Sequence, residues 1–118
     1  MRVKYRTKYG NIKVRHDGHV FDSKKEARRY QELCLLEAAG KIQALQVHPK
    51  YELIQSFRDR GGHTIRRVTV TWDFAYTEDG RKVVEDVKSP PTRKETAYNL
   101  RRKMFLNRYR NVEFREVT

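Results

Sequence analysis

Alternating apolar and polar positions predict most of the strands of this chain. From Arg66 to Tyr76 every second residue is apolar, which indicates one long central strand with Val, Trp, Phe and Tyr on a single face. Four other segments follow from the same reasoning: an extended segment over 42–54 with a bend or sheet edge at Pro49, a mobile polar loop over 56–64, and strands over 82–88 and 112–117.

Two segments have the apolar spacing of helices. Ser23 followed three residues later by Glu26 has the spacing of a capping box, and apolar residues then recur until Gly40, so we predict a helix between Ser23 and Gly40. Residues 95–109 carry apolar side chains at helical spacing and predict a second helix.

Two Asp-Gly pairs predict tight hairpin turns. Asp17-Gly18 lies between short apolar runs within 13–21, so residues 1–22 are expected to form a basic N-terminal arm and a hairpin. Asp79-Gly80 joins the long strand to the strand over 82–88.

The second hairpin fixes which residues face each other. If Asp79-Gly80 is a two-residue loop, counting back along both strands places Asp73 opposite Asp86, an unfavourable pairing of like charges that needs a reason. A three-residue loop would place Asp73 opposite Glu85 instead, and Glu85 is the alternative ligand if that register holds. We prefer the first register because it keeps the faces consistent. It puts Trp72, Phe74 and Tyr76 on one face with Val83 and Val87, and Asp73 on the other with Asp86 and Lys88.

This group of two carboxylates and a lysine suits a divalent metal. Hard cations take carboxylate oxygens, and an ammonium can orient a water or offset charge on a phosphate. The other interpretation is an ordinary surface ion-pair cluster. The four histidines and Cys34 match no zinc-site spacing, so we assign them no zinc.

The composition favours a nucleic-acid partner. The 118 residues contain 27 Lys and Arg against 15 Asp and Glu, a net charge of +12 spread along the chain. We expect a single domain over 1–118. A single cysteine, no signal-peptide pattern at the start and no apolar window long enough to cross a bilayer lead us to expect a cytoplasmic protein without a membrane partner.

Three segments resemble a known group of nucleases. They are Lys8-Tyr9-Gly10-Asn11, the run from Phe21 to Tyr30, and Val84-Glu85-Asp86-Val87-Lys88. Asp73, followed after a hairpin by Asp86-Val87-Lys88, resembles the PD-(D/E)xK signature. Most of the chain is similar to a small phage-encoded nuclease family related to Holliday-junction resolvases and transposon-end endonucleases. Trp72 stands where the signature has proline, a position that varies widely in the superfamily.

The resemblance implies a fold and a set of roles. The fold is an α/β restriction-endonuclease-like core, a central mixed β-sheet flanked by two helices in the order α-β-β-β-α-β. Asp73 and Asp86 become ligands of Mg²⁺ or Mn²⁺, and Lys88 positions or activates the attacking water. Glu26 becomes a further ligand, although the capping box explains it equally well, and both interpretations stay open.

The expected activity is hydrolysis of branched or structured DNA by a homodimer acting in phage recombination, replication or packaging in the host cytoplasm. The alternatives are a non-catalytic nucleic-acid-binding protein and a subunit that cuts only inside a larger recombination or transposition complex. Phosphate contacts are assigned to basic residues of the second helix and the N-terminal arm, with Lys103 the first choice near the scissile phosphate. They are Lys94, Arg101, Arg102, Lys103, Lys8 and Arg6.

Overall fold

The computed structural model describes residues 3–6, 12–88 and 95–118, with side chains described from 13 to 88 and from 95 to 118. The strands are β1 (Val3–Arg6), β2 (Ile12–His16), β3 (His19–Phe21), β4 (Gln43–Val47), β5 (Lys50–Ile54), β6 (Phe57–Arg58), β7 (Thr64–Ile65), β8 (Val68–Thr71), β9 (Phe74–Glu78), β10 (Arg81–Val87) and β11 (Val112–Val117), and the helices are α1 (Lys24–Ala38) and α2 (Thr96–Arg108).

A four-stranded mixed sheet in the order β11-β10-β9-β4 forms the centre of the protein. β10 pairs parallel with β11, and the other pairings are antiparallel. Helix α1 packs on one face, where Leu33 joins a core that includes Phe74, and α2 packs on the other, where Phe105 joins a core that includes Val84. The predicted mixed α/β class with two flanking helices is confirmed.

Local signals place both helices correctly. The Ser23 side chain caps α1 by accepting a hydrogen bond from the backbone N–H of Glu26 at 3.1 Å. The helix ends before Gly40, whose φ of +75° suits glycine. In α2 the predicted apolar residues Tyr98 and Phe105 are buried, whereas Leu100 is exposed. No helix among the described residues is long and apolar enough to cross a membrane.

Both Asp-Gly turns form the predicted two-residue hairpins. His16 pairs with His19, and Arg81 pairs with Glu78. All four turn residues have positive φ, which is the conformation that a type I′ turn requires. The β9–β10 register continues to Phe74 opposite Glu85, so the next pair along is Asp73 and Asp86. The predicted register is confirmed, and the three-residue loop is excluded.

The prediction of one continuous strand from Arg66 to Tyr76 is wrong. The chain breaks at Trp72-Asp73 into β8 and β9, which belong to different sheets. Neighbouring backbone groups change partners here: Trp72 N–H bonds to Pro49 O, and Asp73 N–H bonds to Glu85 O. As a result Trp72 packs in the core under α2, while Phe74 packs in the core under α1. The prediction that Trp72 shares a face with Phe74 is therefore wrong. Tyr76, Val83 and Val87 do pack on the same side as Phe74, as predicted.

The predicted loop over 56–64 is also wrong. It contains β6 and the start of β7, which pair antiparallel. The extended segment over 42–54 divides at His48-Pro49 into β4 and β5, and β5 pairs with β8. Together β5, β6, β7 and β8 form a two-stranded ribbon over residues 50–71, inserted between the first two strands of the central sheet. The polar residues predicted as a loop therefore belong to a hairpin, because β6 pairs with β7 and β5 pairs with β8.

Candidate metal and phosphate site

Four side chains predicted from the sequence converge at one end of the central sheet. Glu26 comes from the first turn of α1, Asp73 from the strand break, Asp86 from β10, and Lys88 from the residues just after β10. Asp86 and Glu26 are each only 4% exposed, so these two carboxyl groups do not lie on a solvent-exposed face.

Glu26 connects the helix cap to this cluster. Its backbone N–H is held by Ser23, and its Oε2 accepts a hydrogen bond from the N–H of Asp22 at 3.3 Å. Its other oxygen, Oε1, lies 2.8 Å from Nε2 of His48. The residue is thus part of the first-turn geometry and also presents a carboxylate oxygen to the cluster.

His48 is the member of the cluster that sequence analysis missed. It lies between β4 and β5 with a φ of +54°, an uncommon conformation for a residue other than glycine. Its N–H donates to the backbone oxygen of Asp73 at 2.9 Å, which ties the end of β4 to the strand break. The potential ligand atoms of Glu26, His48 and Asp73 all lie within 4.8 Å of one another. A histidine before Pro49 at the end of a strand is the only local signal, and it is weak.

Asp73 and Asp86 lie side by side. Oδ2 of Asp73 accepts a hydrogen bond from the backbone N–H of Val87 at 2.6 Å. Burial, followed by the charges of Asp86 and Glu26, raises the pKa of Asp73 well above its ordinary value. Burial also raises the pKa of Asp86, while the adjacent Lys88 opposes that rise. The folded protein therefore favours the protonated form of Asp73 at neutral pH.

Lys88 has the only ammonium group that the structure places directly on this pair among the described residues. Its Nζ lies 3.0 Å from Oδ2 of Asp86 and 4.4 Å from the centre of the Tyr98 ring. That Oδ2 is buried and receives no regularly oriented hydrogen bond from a described residue. Lys88 thus pairs with Asp86 and His48 pairs with Glu26, while no cationic side chain among the described residues forms an ion pair with Asp73.

Glu85, the alternative ligand, lies on the opposite face of the sheet from its neighbour Asp86, on the side of α1. It is fully buried and accepts hydrogen bonds from Arg29 Nε at 2.9 Å and Arg29 Nη2 at 2.7 Å, and a further one from the Tyr76 hydroxyl. It is thereby occupied in fastening α1 to β10, a partnership with Arg29 that sequence analysis missed.

The predicted phosphate-binding residues are less closely gathered. Arg101 and Lys103 are exposed on α2, and about 140° of helix rotation separates Lys103 from Tyr98, the residue nearest the cluster. Arg102 packs its guanidinium 5.4 Å from the centre of the Phe114 ring. Lys8 and Lys94 lie outside the described residues, as does the side chain of Arg6, whose backbone is in β1.

Comparison with known proteins gives one match. The family model described as "Protein of unknown function (DUF1064)" matches residues 6–118, a range that includes both helices and every residue of the cluster. No curated protein and no solved structure matches the chain.

Proposed function

This chain belongs to the family described as "Protein of unknown function (DUF1064)", and we propose its function from the geometry of the site. We propose that the protein is a metal-dependent endodeoxyribonuclease, which hydrolyses phosphodiester bonds. The observation that carries the proposal is the convergence of Glu26, His48, Asp73, Asp86 and Lys88 at one end of a sheet in a strongly basic protein.

The donor atoms fit a divalent cation. Three carboxylates accumulate at a partly buried position with one adjacent ammonium, and the Oδ2 of Asp86 has no regular hydrogen bond from a described residue. Glu26, Asp73 and Asp86 would hold Mg²⁺ or Mn²⁺ through oxygen, and His48 would add a nitrogen that favours Mn²⁺. When bound, such an ion supplies Lewis-acid stabilisation of the phosphate and lowers the pKa of water.

Lys88 supplies the other half of the chemistry. Its side chain is only 19% exposed and is held between Asp86 and the Tyr98 ring, so its ammonium has a fixed position beside the carboxylates. A fixed cation there can offset the charge that develops on a phosphate oxygen and can orient a water molecule by hydrogen bonding. Tyr98 in turn is anchored by donating its hydroxyl hydrogen to Glu116 at 2.6 Å.

The topology supports a restriction-endonuclease-like core of the PD-(D/E)xK type. The order of elements, without the ribbon and the N-terminal strands, is α1, β4, β9, β10, α2 and β11, and among the described strands only the β10–β11 pair is parallel. Asp73 lies at the strand break, Asp86 in β10 and Lys88 just after β10, an arrangement that supports the proposal. Branched or structured DNA in phage recombination, replication or packaging is the proposed substrate, and a homodimer would provide two active sites for symmetric cuts.

The test is cleavage of labelled four-way-junction, flap and linear duplex DNA with Mg²⁺, Mn²⁺ or EDTA. Asp86→Asn is expected to abolish metal-dependent cutting, and Lys88→Met to slow it by roughly 10²- to 10³-fold, as removal of one fixed electrostatic group typically does. Asp79→Asn is the matched control, because Asp79 is exposed in a turn whose positive φ asparagine tolerates. Binding without cutting by the wild type under any metal would favour a binding protein or a subunit that needs a larger complex.

A second measurement addresses His48 without requiring activity. His48→Asn removes the imidazole and keeps a residue that tolerates the left-handed backbone. Calorimetric titration should show Mn²⁺ affinity falling by at least about tenfold, with a smaller change for Mg²⁺. An unchanged Mn²⁺ affinity would remove His48 from the proposed ligands.

A further inference from the structure

The ribbon over residues 50–71 begins and ends at the candidate site. β5 starts at Lys50, just after His48-Pro49, and β8 ends at Thr71, just before Trp72-Asp73. The backbone bond from Trp72 N–H to Pro49 O, at 3.0 Å, closes its base. The base of the ribbon therefore lies next to the proposed metal ligands.

The ribbon is long enough to follow a duplex for part of a turn. The strand from Lys50 to Arg58 covers about 26 Å at the rise of ~3.3 Å per residue of a β-strand. That length corresponds to about seven base pairs at 3.4 Å each. The radius of gyration of 16.3 Å exceeds the value of about 13 to 14 Å for a compact domain of this length, as expected for a fold with projecting strands.

The outer half of the ribbon is basic on exposed side chains. They are Arg58, Arg60, Arg66 and Arg67. The one acidic residue between them, Asp59, uses its Oδ1 to accept a hydrogen bond from the His63 backbone N–H at 2.8 Å and lies 3.2 Å from the His63 ring. The acidic group is thus engaged within the turn, and so is Arg58, which donates to the Gly62 backbone oxygen at 3.2 Å, whereas Arg60, Arg66 and Arg67 are exposed and have no hydrogen bond or ion pair to a described residue. This charge distribution complements a polyanion.

Exposed apolar side chains lie between the arginines. Phe57 is 51% exposed and Ile65 38% exposed, and the two face each other across β6 and β7. A two-stranded ribbon fits the major groove of B-form DNA, where apolar groups contact base edges and arginines reach phosphates and guanines. The same charge disfavours a protein partner unless that partner is itself strongly acidic.

We propose that this ribbon lies in the major groove of a B-form DNA duplex adjacent to the bond that is cut. The proposal rests on the proposed function in taking DNA as the substrate and in placing the cut at the candidate site. It adds that the substrate has a duplex arm at least about seven base pairs long on the ribbon side of the scissile phosphate. A branched substrate with duplex arms satisfies this requirement.

The test measures binding in EDTA, where no cutting occurs, by fluorescence anisotropy of a labelled 20-base-pair duplex in 50 to 300 mM NaCl. The variant Arg60→Gln/Arg66→Gln/Arg67→Gln is compared with Arg28→Gln/Lys41→Gln/Lys82→Gln, which removes the same charge from exposed positions elsewhere. Loss of three phosphate contacts should make the negative slope of log K against log salt shallower by about 2 to 3, and the control variant should change the slope by less than about 1. Melting curves of both variants should match the wild type because all six side chains are exposed.

Equal losses of affinity and slope in the two variants would overturn the proposal, since they would show only a general effect of charge. An equal loss for single-stranded DNA, or wild-type binding of duplex RNA as tight as duplex DNA, would also overturn it, because the A-form major groove is too narrow for a ribbon. These outcomes do not depend on the nuclease assay: an inactive protein can still bind through the ribbon, and an active one can bind without it.

Discussion

Replacing Asp73 by asparagine is expected to stabilise the metal-free protein, although most substitutions of partly buried residues destabilise. Burial first, and then the carboxylates of Asp86 and Glu26, raise the pKa of Asp73 from 3.8 to about 9. Asparagine keeps an oxygen that can accept the hydrogen bond from the Val87 N–H, and it is neutral at every pH. The substitution thus avoids the free-energy cost of keeping Asp73 protonated in the folded state, and it removes the proposed metal ligand.

The pH dependence has a definite sign. Below pH 3.8 the carboxyl group is protonated in both states, and between pH 3.8 and about 9 only the folded state keeps the proton. Stability therefore falls as pH rises through that interval, by about 1.4 kcal/mol per pH unit for one proton. Glu26 raises the pKa of His48 above 6.5. The stabilising contribution of protonated His48 is complete below pH 6.5 and is lost as pH rises through its folded pKa. Both groups therefore make the protein less stable as pH rises.

The magnitude for Asp73→Asn follows from that slope. We take half of the unscreened value because Asp73 is only partly shielded from solvent, which gives about 1 kcal/mol at pH 5.5 and about 2 to 3 kcal/mol at pH 7.5. The larger figure corresponds to a rise in Tm of roughly 10 °C for a domain of this size.

The assay is urea unfolding followed by circular dichroism in EDTA at pH 5.5, 6.5 and 7.5, with Asp79→Asn as the control. Added Mg²⁺ or Mn²⁺ should stabilise the wild type, by about 2.7 kcal/mol at a hundred times Kd, and should stabilise Asp73→Asn much less. A wild-type stability that stays level or rises with pH in EDTA, or a destabilised Asp73→Asn, would refute the picture of crowded, partly buried carboxylates.

Substitutions at Arg29, Ser23 and Glu26 test the residues that support the site. Arg29→Met leaves the carboxylate of Glu85 buried without its bidentate partner, so the free energy of unfolding should fall by about 3 to 5 kcal/mol. The double variant Arg29→Met/Glu85→Gln should recover most of that loss. A loss below about 1 kcal/mol for Arg29→Met would show that the pair contributes little to stability. Ser23→Ala should cost about 1 kcal/mol with metal affinity intact, and Glu26→Gln should lose metal affinity with little change in stability. The reverse result would make Glu26 a capping residue only.

Sequence predicted the parts of the fold that local chemistry determines. Asp17-Gly18 and Asp79-Gly80 fixed two hairpins because few other pairs accept two consecutive positive φ values. The second turn also set the strand register, and with it the pairing of Asp73 with Asp86. The convergence of Glu26 with this pair came from the resemblance to nucleases, since its spacing alone indicated only a helix cap.

The errors in the predicted strands arose where the backbone forms hydrogen bonds with segments that are distant in sequence. Alternation continues without interruption through Trp72 and Asp73, so no local signal marks the break; the break exists because Pro49 O and Glu85 O bond to consecutive N–H groups. The outer end of the ribbon, β6 and β7, was missed for the same reason, since these two short strands pair with each other and their side chains are exposed. His48 was missed because its place beside Glu26 depends on that break.

The break also explains why the candidate site lies where it does. In a continuous strand, Trp72, Phe74 and Tyr76 would share one core and Asp73 would point to the other. With the break, Trp72 and Phe74 anchor in opposite cores, and Asp73 between them bonds to the backbone of Val87 at the end of β10. His48 adopts its uncommon backbone conformation, which costs about 1 kcal/mol or more, to complete the same junction. Strain, crowded carboxyl groups and the base of a basic ribbon thus coincide at one point, and that point is where the proposed function places the metal ion.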